Sequence, residues 1–290
     1  MSLTWPVIAV VLFGALLHAG WNALVKSSQD KALDTALVTL MGAVIALPLL
    51  AWSGMPQASS LPYIAASLCI HIGYYIALAG AYRHGDLGLT YPIMRGLAPL
   101  LVALGSASLI GEVPSALSWL GTLGITLGVV LVGLARPAVA LHHGKALAYA
   151  LANAGIIAVY TVVDGLGVRN EVAHGGNAFS YVMLLFALDG VAYPLGVWLS
   201  RGSAGRAQLL ATVRQRWHLA LLGGAASIGS YTIALWAMTR APVASVAALR
   251  ETSVLFAALL GAWLLKERFG AQRALGTVVI VAGVMSLRLG

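Results

Sequence analysis

The chain has 290 residues, of which 60% are apolar and only 9% charged, a balance that excludes a water-soluble globular domain and points to an integral membrane protein. Its formal net charge of +8 would raise the question of nucleic acid in a soluble protein. Here the lysines and arginines fall in the connections between apolar runs, where they act as topology signals and argue for no nucleic-acid partner.

Ten apolar runs of about 18 to 25 residues are each long enough to cross about 30 Å of hydrocarbon as a helix. The expected fold is all-α and integral to the membrane, with ten transmembrane helices near 5–25, 33–52, 61–82, 88–110, 117–135, 145–167, 177–199, 217–239, 243–265 and 271–289. The first lacks a basic leader and a cleavage site and reads as a retained helix. It carries His18 and Asn22 four residues apart on one face, with Trp21 beside them. The second ends in Pro48 and Trp52. In the third, His71 is followed one turn later by Tyr74 and Tyr75, which form either a donor-bearing aromatic face for a solute or a polar contact between helices. Cys69, the single cysteine, excludes an internal disulfide.

The fourth helix sets Arg95 between Pro92 and Pro99, near Tyr91. A charge at that depth costs about 2.5 to 3.5 kcal/mol, so Arg95 is expected to face the bundle interior, a cavity or a partner. The sixth carries Tyr160 and, nearer its expected end, Asp164, which is expected to reach headgroup water or to carry a coupled proton. Asp189 falls mid-helix in the seventh, either as a proton-coupling group or as a bonded support for the Pro194 region. The stretch 201–216 reads as a loop too small to fold alone. Tyr231 lies in the eighth helix, and the ninth holds Arg250 and Glu251 side by side. Arg250 has two fates open to it, a cavity ligand for a solute carboxylate or a structural pairing with Glu251 or Asp189. Glu251 points about 100° away from Arg250 on the helix and is a third proton-coupling candidate.

The chain also repeats itself. Arg95 matches Arg250, Glu112 matches Glu267, and Gly121-Thr122 matches Gly276-Thr277, all at an offset of 155; Tyr75 matches Tyr231 at 156, and Pro48 and Trp52 match Pro194 and Trp198 at 146. The expected organisation is a first five-helix repeat over 1–135, a linker over 136–144 and a second repeat over 145–290. Five crossings are an odd number, so the halves run through the bilayer in opposite directions, as inverted repeats do.

The runs GDLGLTYPIMRGLAPLLVALGSASLIGEVPS and RAPVASVAALRETSVLFAALLGAWLLKERFGAQRALGTVVIVAGV resemble the two EamA modules of the drug/metabolite transporter superfamily. The resemblance implies a ten-helix exporter of small metabolites in the bacterial inner membrane, with amino-acid exporters, a YddG-like type for aromatic ones included, as the model. It implies a small-molecule substrate, no cofactor and no enzymatic activity. Many members carry basic termini, whereas here 12 of the 17 basic residues fall on the opposite face and three on the face of the termini. Basic loops stay cytoplasmic, so both termini are expected outside the cytoplasm.

Enzyme signatures such as HExxH, GxxxxGK[ST] or metal-spaced Cys/His sets do not occur in the sequence. The competing class is a membrane-embedded enzyme acting on a lipid or isoprenoid, built from the scattered His, Asp and Arg. The candidate cavity residues are Arg95, Arg250, His71, Tyr74, Tyr75, Tyr231, Trp21, Asn22, Tyr160 and Tyr91.

Overall fold

A computed structural model of the chain describes residues 3–26, 30–85, 87–133, 144–264 and 270–290. Its helices are α1 (Trp5–Lys26), α2 (Lys31–Ser53), α3 (Leu61–His84), α4 (Leu87–Gly105), α5 (Ala116–Gly133), α6 (Gly144–Ala173), α7 (Ala178–Ser200), α8 (Ser203–Met238), α9 (Val243–Arg250), α10 (Ser253–Leu264) and α11 (Ala271–Leu289). Ten segments are long and apolar enough to cross a membrane, with α9 and α10 forming the ninth between them. No strand occurs among the described residues. Arg136, His142, His143, Lys266, Glu267 and Arg268 lie outside the described residues, as do the side chains of Lys26 and Lys31.

Local chemistry sets several helix ends. Asp30 Oδ1 accepts from Leu33 N at 3.0 Å and Asn177 Oδ1 from Ser180 N at 2.9 Å, satisfying first-turn donors of α2 and α7. Beyond α4 the backbone widens into a π turn over Ser106–Ile110 and stops at Gly111, whose φ of 73° suits a residue without a Cβ.

Three expectations change. The stretch 201–216 is not a loop: α8 begins at Ser203, because SAGRAQLLATVRQR is rich in helix formers and its arginines extend the span beyond the hydrocarbon. The sixth span runs to Ala173 instead of 167, which makes Arg169, Asn170 and Glu171 helical. The ninth span is not continuous. At Glu251 and Thr252 the ladder tightens to Glu251 N–Ala248 O and Thr252 N–Leu249 O bonds of 3.1 Å each, and Thr252 Oγ1 donates to Leu249 O at 2.7 Å.

Helix pairings come in matched sets. α3 packs on α6 and α8 on α1, while α2 packs on α7 and α5 on α11. Exchanging α1–α5 for α6–α11 turns each of the first two contacts into the other and returns the last two to themselves. The α5–α11 contact shows it atom by atom. A Cβ on Gly121 would stand 2.8 Å from Gly283 O, and one on Gly283 2.8 Å from Gly121 O. Gly128 and Gly276 meet in the same way, at 2.8 and 2.9 Å. Only glycine lets the two backbones come this close.

By the alternation of the spans, one face carries the chain termini together with the ends α2–α3, α4–α5, α6–α7 and α8–α9. It is called the terminal face below. The opposite face carries most of the basic residues and is called the basic face.

Candidate functional site

A cavity of about 910 Å³ opens between the helices, at the upper end of the size of small-molecule sites. Its wall takes residues from the middle of the spans, among them His18, Tyr160 and Arg250, and from the basic-face ends, among them Val25, Tyr82, Gly133 and Arg273. No lining residue comes from the turns at the terminal face. The chamber therefore runs from mid-bundle toward one face only.

All ten cavity candidates stand on this wall: Arg95, Arg250, His71, Tyr74, Tyr75, Tyr231, Trp21, Asn22, Tyr160 and Tyr91. Much of it is aromatic. His71 lies 4.6 Å from Tyr160, Tyr74 meets Tyr160 edge-on at 6.1 Å, and Tyr75 stacks on Tyr193 at 4.4 Å. On α1, His18 meets Trp21 edge-on at 5.2 Å, and Asn22 Nδ2 donates back to His18 O at 2.8 Å, so that amide is occupied by its own helix. The 18/22 spacing marked this stripe in the sequence, and the structure turns it to the chamber.

The two arginines differ. Arg95 is 8% exposed, and its Nε stands 2.8 Å from Glu251 Oε2. Among the described residues its Nη2 meets no acceptor, and neither does Trp21 Nε1. Unfilled donors of this kind are costly in a low-dielectric interior. Arg250 pairs with neither Glu251 nor Asp189, contrary to the structural alternative. Its guanidinium lies 5.1 Å over the Tyr231 ring, a cation–π seat. The reason is the break after α9, from which Glu251 turns away from its neighbour and toward α4.

The carboxylates also separate. Asp189 is on the wall and accepts from Tyr75 Oη at 2.9 Å. Asp164 does not reach headgroup water. With α6 extending to Ala173 it lies well inside the span, 0% exposed, accepting from Tyr181 Oη at 3.1 Å and from Tyr231 Oη. Among the described residues no cluster of His, Cys, Asp and Glu converges on a metal-sized site.

Sequence reasoning missed the terminal face. Arg169 Nη2 stands 2.6 Å from Glu112 Oε1, its Nε donates to Met238 O at 2.7 Å and its Nη2 to Ala241 O at 3.1 Å, and Val243 N donates to Glu112 Oε2 at 2.9 Å. Asn170 Nδ2 donates to Ser59 and Ser60 hydroxyls at 2.9 and 3.2 Å, and Gln57 N to Glu171 Oε2 at 2.9 Å. Three successive residues of α6 thus clasp elements that belong to 1–135. The only sequence signal was that VRNEV is polar next to an apolar run.

Ten membrane-length spans around a deep, largely apolar chamber that carries Arg95, Arg250 and Asp189 and reaches one face define a multi-pass membrane protein of the transporter class. Residues 144–289, just over half of the chain, match the EamA-like transporter family. The chain belongs to that family and so to the drug/metabolite transporter superfamily. A protein of known crystal structure shares the fold, with a TM-score of 0.77 at 21% identity over 99% of this chain and 98% of its own. Comparison with curated proteins finds no match.

Proposed function

We propose that the chain is a secondary transporter that exports small carboxylate-bearing metabolites, foremost aromatic or other apolar amino acids, by alternating access around the chamber. The observation that carries this reading is Arg95 Nη2, a buried guanidinium donor on the chamber wall without an acceptor. Glu251 answers only one of the two guanidiniums, which leaves a donor fork for a solute carboxylate at Arg95 and Arg250. The aromatic wall of Tyr74, Tyr160 and His71 suits an apolar side chain.

Asp189 supplies the complementary pole for an ammonium group. A proton and an ammonium compete for its oxygens, which is the logic of proton-coupled export. Glu251 is the second coupling candidate, because a proton there would free Arg95 for the solute.

The halves 1–135 and 145–290 act as an inverted repeat that rocks around the chamber. The reciprocal contacts of Gly121 with Gly283 and Gly128 with Gly276 support this, since each glycine meets the sequence counterpart of the other, the signature of a two-fold axis. The basic residues around the chamber mouth favour a cytoplasmic mouth in a bacterial inner membrane, with both termini outside and the chamber poised to load. Family membership favours a carrier over the membrane-enzyme alternative.

The test is counterflow in proteoliposomes preloaded with neutral L-amino acids, read as uptake of labelled L-phenylalanine. The wild type should accumulate label transiently, and Arg250→Gln should raise KM by about tenfold or more, as expected for losing a charge-assisted hydrogen bond. Absence of counterflow, or an unchanged KM in Arg250→Gln, contradicts the reading.

A further inference from the structure

Behind the chamber wall stands a group that touches no lumen. Asp164 is fully buried on α6 and is absent from the chamber lining; the Ser67 hydroxyl and the His71 imidazole face it from α3, and its two oxygens are held by two tyrosines of opposite standing. Tyr181, which donates to Oδ1, is itself 0% exposed and immobilised in the core. Its hydroxyl fits against Gly167, where an added Cβ would collide with it. Tyr231, which donates to Oδ2, is a wall residue whose ring carries the guanidinium of Arg250. The chain of contact runs from a fixed core tyrosine through a carboxylate and a wall tyrosine to a wall arginine.

The first half provides a comparison within the same molecule. Tyr75, the sequence counterpart of Tyr231, also donates to an aspartate, Asp189. It stacks on Tyr193 and carries no arginine, and its aspartate lies on the wall itself. Both tyrosines are thus fixed through their hydroxyls. At Tyr231 the carboxylate is withdrawn from the lumen and the Arg250 guanidinium lies over the ring.

We propose that Asp164 is a positioning residue for substrate recognition: by anchoring the Tyr231 hydroxyl it holds the ring on which Arg250 lies, and so aims the guanidinium at the solute carboxylate. This rests on the reading of Arg250 as the carboxylate ligand given above. A stacked guanidinium keeps its N–H edges free for a planar acceptor, but only while the ring beneath it stays in place. Among the described residues no carboxylate forms an ion pair with Arg250, so the ring is its principal seat. An error of about 1 Å in such a ligand is enough to cost a large part of its effect. The proposal takes Asp164 out of the proton-coupling set and makes it act at a distance, through Tyr231, on affinity.

The experiment compares Asp164→Asn, Tyr231→Phe, the double variant and Arg250→Gln in L-phenylalanine counterflow, with KM, Vmax and the pH profile read for each. Tyr231→Phe keeps the ring and removes only the anchoring hydroxyl, so it decides the matter even if Asp164→Asn does not fold. Asp164→Asn and Tyr231→Phe should each raise KM about fivefold with little change in Vmax, and their double variant should be no worse than the worse single, as for residues acting in one chain. The wild-type pH profile should persist in Asp164→Asn. Unchanged KM in Tyr231→Phe overturns the proposal, as does multiplication of the two effects in the double variant. Loss of pH dependence in Asp164→Asn at unchanged KM also overturns it and makes Asp164 the proton site. An Arg250→Gln protein with wild-type KM removes the underlying reading instead, and so marks that failure apart from this one.

Discussion

The two ends of the bundle are held by opposite means. At the terminal face Arg169, Asn170 and Glu171 reach across from α6 to Glu112, Ser59, Ser60 and Gln57, and the atoms around them are almost fully covered: Met238, Ala241 and Val243 are 0% exposed. At the basic face the halves are joined on one flank, by Arg201 to Asp30 at 2.7 Å and Arg216 to Asp34 at 2.9 Å, while the chamber occupies the space between the other helices. The comparison teaches where motion is cheap. Breaking the terminal clasp strands carbonyls and a carboxylate, whereas the Asp30–Arg201 pair gives its charges back to solvent.

That difference can be broken from the tighter side first. Arg169→Ala removes one partner of the Glu112 pair together with the donors to two backbone carbonyls. It should cost about 3 kcal/mol, at the low end for a buried pair because both side chains keep some solvent contact. The thermal midpoint in detergent should fall by several degrees, and Arg169→Lys should recover only part of the loss, since a single ammonium cannot reproduce the fork. A midpoint within error of wild type would make the two ends energetically alike.

The smaller effect lies at the other face. The guanidinium of Arg201, and after it the Leu33 amide, hold the Asp30 carboxyl below its ordinary value. A carboxyl depressed in the folded state stabilises it above the unfolded value of about 4 and loses that contribution as pH falls through the lower, folded value. Wild type should therefore lose more stability than Asp30→Asn between pH 5 and 2. The difference should stay under about 1 kcal/mol, the range of an exposed pair. Parallel acid profiles of the two proteins would remove Asp30 from the account.

The ten spans were legible because length and hydropathy are local properties. The interior-facing residues stood out because polar and aromatic groups at lipid depth need an interior to face, but for His71, Tyr74 and Tyr75 the sequence left open whether that interior is a chamber or a neighbouring helix. The break after Arg250 was not legible, since neither proline nor glycine marks VAALRETSV and the turn is set by hydroxyl back-bonding and by the pull of Arg95 on Glu251. Asp164 was misplaced for a related reason: the polar residues after it looked like a helix end, yet they are covered by groups more than a hundred residues away in the chain. Arg169 likewise counted as a loop charge until its partners, 57 to 72 residues distant, were known.

The central claim is that the chamber communicates with the basic face and is sealed at the terminal face. With Cys69, which is exposed, replaced by serine, single cysteines can be placed at Ser227 on the chamber wall, at Gly202 on the basic face and at Met55 on the terminal face. Each is then treated with a membrane-impermeant maleimide from either side of the membrane in the absence of solute. Ser227→Cys should be labelled from the side that labels Gly202→Cys and be protected from the side that labels Met55→Cys. Labelling from the Met55 side alone would contradict the account.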